Sequence, residues 1–116
     1  MILDKFVELE FGGKKHKLCY PIKHVFEAER QLTDGNIMVL LTKASDGIPP
    51  SLYDMFTIVK YALLGGDPKL TEDEAEALYL DAAAEVPVLE LFRLSVEALK
   101  KSGVLGTPKK DEAAKA

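Results

Sequence analysis

The sequence predicts an α+β fold, mainly α: an N-terminal β-hairpin followed by a bundle of about five helices. Three observations carry this. Val7, Leu9 and Phe11 alternate with Glu8 and Glu10, and His16, Leu18 and Tyr20 alternate with Lys17 and Cys19, the period of half-buried strands. From Ile22 onward, apolar residues instead recur at helical spacing. Turn-forming clusters punctuate that pattern at Thr33-Asp34-Gly35-Asn36, Ser45-Asp46-Gly47-Ile48-Pro49-Pro50 and Gly65-Gly66.

Taken in order, the hairpin occupies residues 6–20. Gly12 and Gly13 supply the positive backbone angles of a tight turn. A turn made of those two glycines alone sets Glu10 opposite Lys15 and Glu8 opposite Lys17. A longer Gly12–Lys15 loop pairs Leu9 with Leu18 and Glu10 with Lys17. Both registers place unlike charges face to face, which favours pairing modestly.

Pro21 opens the first helix, at about 21–32, where a missing N–H costs nothing. Residues 37–44 form a short second helix, although the apolar run Ile37–Leu41 also suits a buried strand. Ser51 and Asp54 make a Ser-x-x-Asp capping box for a helix at 51–64, which Gly65 and Gly66 stop. Thr71 and Glu74 make a second box for 71–85, with Glu72 and Asp73 well placed against the helix dipole. Pro87 starts the last helix, 87–102, which ends at Gly103. The expected organisation is one globular domain over 1–103, with 104–116 a flexible tail.

Composition narrows the function classes. A formal net charge of -4 argues against non-specific duplex binding, which depends on cations neutralising phosphates. A single cysteine forms no intramolecular disulfide and suits a reducing compartment. Asp4, Glu8 and Glu10 interrupt the apolar run that a signal peptide needs, and no apolar run approaches a membrane span. The expected location is the cytoplasm.

Catalytic and ligand-binding motifs fail on spacing. Gly12-Gly13-Lys14-Lys15 is followed by a strand and lacks the hydroxyl of a phosphate loop, and Gly65-Gly66-Asp67-Pro68-Lys69 has no such motif around it. His16, Cys19 and His24 show no paired metal-ligand spacing. His24 and Glu27 share a helical face but make at most half a site. Cys19 has no orienting partner or oxyanion motif to make it a nucleophile. The carboxylates at Glu72, Asp73, Glu74 and Glu76 are explained by the helix start. Lys14, Lys15, Lys17 and Lys23 form a basic patch without the stacking aromatics of a single-strand binder, and lysines also guard an edge strand. The expectation is a non-enzyme with no metal and no cofactor.

One feature exceeds what a scaffold requires. In the last helix Leu89, Phe92, Val96 and Leu99 form one face, and Val88, Leu91, Leu94, Ser95 and Ala98 broaden it, with Val104 and Leu105 following. Either this helix is buried all round, or part of the arc is kept for a partner or for self-association. Leu91, Leu94, Ala98, Val104 and Leu105 are the candidate partner-binding residues.

The order Phe11-Gly12-Gly13-Lys14, Leu18, Tyr20, Ile22, Glu27, Glu29 and Leu32, then Tyr61-Ala62-Leu63-Leu64-Gly65 and Leu70-Thr71-x-x-Glu74, resembles the small tail-assembly chaperones of long-tailed bacteriophages, prophages and gene-transfer elements. The likeness runs from about residue 6 to 102. His16, where an aromatic is common, and the Asp46–Pro50 loop depart from the pattern. The resemblance implies a non-catalytic protein of the bacterial host cytoplasm that binds the tape-measure protein and helps recruit tail-tube subunits. A structural minor tail or connector protein is the alternative it leaves open, ahead of a nucleic-acid-binding regulator.

Overall fold

The computed structural model describes residues 5–106. Two strands, β1 (Phe6–Phe11) and β2 (Lys14–Cys19), precede α1 (Ile22–Gln31), α2 (Ile37–Ser45), α3 (Leu52–Gly66), α4 (Glu72–Ala83) and α5 (Val88–Lys101). The α+β, mainly helical class is therefore the observed one.

The hairpin takes the two-residue turn. Gly12 and Gly13 have φ of 61° and 75°, and the antiparallel register sets Glu10 opposite Lys15 and Glu8 opposite Lys17. One face of the ribbon buries Leu9, Phe11 and Leu18, with the Phe11 and His16 rings stacked 4.2 Å apart. Its other face keeps the charges in water. Gly12 N–H is held by the Glu85 carboxylate at 3.0 and 3.1 Å, which fixes the turn to the α4–α5 connection.

The central helix is α3, not α5. Ile58, Val59 and Ala62 are fully buried, and β2, α1, α4 and α5 all pack against α3. A helix surrounded in this way must satisfy each polar side chain it buries. Asp54 accepts from Thr33 N–H and Thr33 Oγ1, each at 3.0 Å, and Thr57 Oγ1 donates to the Tyr53 carbonyl at 3.0 Å. Lys60 reaches Glu72 at 3.2 Å and Glu76 at 3.4 Å, stapling α3 to α4.

Gly65 and Gly66 do not stop α3; they are its last two residues. Their role is close approach. A Cβ on Gly66 would collide with the Lys17 carbonyl, and one on Gly65 with the Cys19 carbonyl and, at 2.6 Å, Pro21 Cδ. The helix end therefore lies directly on the outer backbone of β2.

Caps follow the sequence with one difference. Thr71 and Glu74 form a full reciprocal box. At α3, Ser51 Oγ accepts from Asp54 N–H at 3.0 Å, but the Asp54 carboxylate turns to Thr33 instead of back to Ser51. Pro21 and Pro87 stand one residue before their helices, as N-caps, and not inside them. Residues 37–45 are helical; Asn36 caps Val39 N–H, and Glu29 Oε2 accepts from Ile37 N–H at 3.0 Å. The tail expected over 104–116 begins with residues that are placed: Val104 and Leu105 are half-buried against the core, and 107–116 lie outside the described residues.

Candidate partner-binding groove

The five residues expected to meet a partner divide. Leu91 and Ala98 have no exposed surface, because that side of α5 packs on α3 and the hairpin. This is a correction: neither presents anything to a partner in the folded chain. Leu94, Val104 and Leu105 are half-buried and pack against the same core. Helical periodicity locates the apolar arc of α5 but not which part of it the fold covers.

The uncovered part is on the other side. Leu89 is 63% exposed, and Leu89, Phe92 and Val96 line one wall of a groove of about 680 Å³. Leu41 and Ala44 of α2 line the opposite wall. Ile37 and Leu40 point into the core, Leu41 and Ala44 are half-buried at its edge and form this wall, and Met38 and Val39 face solvent on a further side of the helix. The run Ile37–Leu41 adds to α5 more apolar surface than a one-faced helix requires, but the sequence does not show that the two helices face each other across a groove.

Charges rim the apolar floor. Asp46 stands at the end of α2, and Arg93, Glu97 and Lys100 stand along α5. Arg93 forms a two-point contact with Glu90, Nε to Oε1 at 2.9 Å and Nη2 to Oε2 at 2.6 Å, and approaches Glu97 at 3.6 Å. The Arg93 hydrogen bond holds the Glu90 carboxyl below its ordinary range. An apolar trough with rims of both signs is suited to an amphipathic segment, whose apolar side chains enter while its polar ones meet the edge.

The other candidates resolve into scaffold contacts. His24 Nδ1 lies 2.7 Å from Glu27 Oε1, beside the Tyr61 ring, in a half-buried pair. No group of three or more metal-ligating side chains occurs among the described residues. Lys14, Lys15 and Lys17 are exposed, and Lys17 Nζ sits 4.7 Å from the centre of the Phe6 ring, across the hairpin. Cys19 is half-buried and unpaired. No helix among the described residues is long and apolar enough to cross a membrane.

Comparison with known proteins returned no match among curated proteins or solved structures. A family model described as phage tail tube protein, GTA-gp10, matches residues 5–102, spanning the hairpin and all five helices. Its description is that of a structural tail protein and not of an enzyme. The chain belongs to this phage tail tube family, and its role lies in the structure or assembly of a phage tail.

Proposed function

We propose that the protein is a non-catalytic tail-assembly chaperone, which holds an amphipathic helical segment of the tape-measure protein in the α2–α5 groove and helps bring tail-tube subunits to it. The carrying observation is the groove itself: Leu41, Ala44, Leu89, Phe92 and Val96 leave an apolar trough open between two helices, edged by Asp46, Arg93, Glu97 and Lys100. On this reading the occupant is an apolar, helix-prone tape-measure segment held before assembly. Shielding it needs shape and apolar contact, with no bond made or broken.

The test is capture of the tape-measure protein by the tagged chain from particle-producing cells. Leu89→Glu puts a charge on an exposed groove wall without touching the core. It should weaken capture at least about tenfold, the order expected for an interface anchor. Leu80→Glu, at a position 67% exposed on α4 and away from the groove, serves as the control. Equal capture by both variants would remove the groove from the reading.

The family description favours a second reading, a structural subunit of the tail itself. Mass spectrometry of purified particles separates the two. A chaperone is absent from the finished particle, whereas a structural subunit is present in fixed proportion to the tail.

A further inference from the structure

We propose that α2 is a hinged jaw: the groove stands open in this structure and closes when the C-terminal end of α2 swings toward α5. This inference rests on the groove being the partner site, and it adds how the site takes hold of an occupant.

The two ends of α2 are held very differently. At the N-terminal end, Glu29 Oε2 accepts Ile37 N–H at 3.0 Å, Asn36 caps Val39 N–H at 3.0 Å, and Ile37 and Leu40 are buried. The preceding turn is tied to α3 through Thr33 and Asp54. That end is a pivot. At the C-terminal end the backbone bonds are all local: Asp46 N–H to Thr42 and Lys43, Gly47 N–H to Ala44, and Ile48 N–H to Lys43. The side-chain tie at that end is the exposed Lys43–Asp34 ion pair at 3.7 Å, so among the described residues the last turn and its loop can move together without breaking a tertiary hydrogen bond.

Glycine joints flank the helix. Gly35 and Gly47 have φ of 63° and 87°, the conformation that glycine reaches without strain, and no neighbour crowds either one. Extensive packing joins α3 to β2, α1, α4 and α5, and joins α5 to both strands, while α2 has no contact of that extent. A helix with few buried apolar contacts opens at low free energy.

Charge gives the motion a direction. Asp46 lies on the moving end and Lys100 on the facing wall, and neither is in an ion pair among the described residues. Closing brings the two together and folds Leu41 and Ala44 over whatever apolar side chains lie on Phe92 and Val96. An occupant is then enclosed on two sides instead of resting in an open trough.

Amide hydrogen exchange on the free protein tests the hinge without any partner. The amides of residues 41–45 should exchange at least about a hundredfold faster than those in the middle of α3, the signature of local opening. Exchange as slow as in α3 would overturn the proposal. A lock then tests the function of the motion. In a Cys19→Ser background, Asp46→Cys with Lys100→Cys should form a disulfide under mild oxidation, and the locked protein should capture tape-measure protein at least about tenfold less than its reduced form. Failure of the pair to cross-link, or undiminished capture once locked, would overturn the jaw. The groove reading fails separately, through unaltered capture by Leu89→Glu.

Discussion

The Tyr20 hydroxyl donates to the Ile58 carbonyl at 2.5 Å inside the core, linking the end of the hairpin to the middle of α3. The ring is fully buried, and that burial, followed by the charge of Tyr61, pushes the phenol well above its ordinary value of 10.0. Tyr20→Phe removes one buried hydrogen bond and should cost about 1–2 kcal/mol in urea unfolding. It should also change the alkaline limb. A raised folded pKa contributes stability that is complete below pH 10 and is lost as the unfolded chain ionises above it. The wild type should therefore lose stability more steeply above pH 10 than Tyr20→Phe does.

Gly66→Ala sets two effects against each other. Alanine is favoured over glycine in a helix by about 1 kcal/mol. Here, however, the new Cβ meets the Lys17 carbonyl, a backbone atom that can yield only by displacing β2. The collision should prevail, with a net loss of about 1–3 kcal/mol. The midpoint of denaturant unfolding reads the sign directly, and a stabilised variant would show that the helix end and the strand are not in contact.

Asp54 joins three segments through one carboxylate and one backbone N–H. Asp54→Asn keeps the Ser51 cap but removes the charge from the two Thr33 bonds, and should cost about 1 kcal/mol. Amide exchange at Thr33 should rise in this variant, while exchange in α4 stays as it was. Equal acceleration in both places would mean that the effect is on the whole fold and not on the turn.

Lys60 is nearly covered, its ammonium lying 5.1 Å from the Tyr61 ring centre and 5.7 Å from that of Phe56. Burial alone draws its pKa down, but the hydrogen bonds to Glu72 and Glu76 and the charges of Tyr61 and Glu72 outweigh it, and the net shift is upward from 10.5. Its contribution is thus complete below pH 10.5 and is lost at higher pH. Because both carboxylates are largely exposed, Glu72→Gln with Glu76→Gln should cost only about 1 kcal/mol. High salt should shrink that difference, as circular-dichroism melts at two ionic strengths would show.

Local chemistry made much of this fold legible. Two adjacent glycines between alternating runs marked the hairpin but left two registers open, and the fold takes the one with the two-residue turn. Thr71 with Glu74 marked the start of α4 because both halves of its box are local. What local patterns do not contain is the identity of the neighbour. Gly65 and Gly66 resemble a helix stop, and only the proximity of β2 shows that they are helical residues without room for a side chain. Leu91 and Leu89 look equally apolar in the sequence; α3 and the hairpin cover one and leave the other in solvent. The same blindness made α5 a candidate for the central helix, a place that α3 occupies.

The contacts that close the hairpin onto the rest of the fold join residues far apart in the chain: Gly12 to Glu85, and the Phe6 carbonyl to Lys101 Nζ at 3.4 Å. Ribosomes add about 5–20 residues per second, so roughly 4–18 s separate the emergence of β1 from that of α5. Until then Leu9 and Phe11 lack the cover that α5 later supplies. The ribbon's first shelter is α3, whose arrival lets Tyr20 and Gly66 engage. A nascent chain arrested before α5 thus exposes an apolar strand pair, and translation speed across residues 67–101 sets how long each new molecule is vulnerable to aggregation.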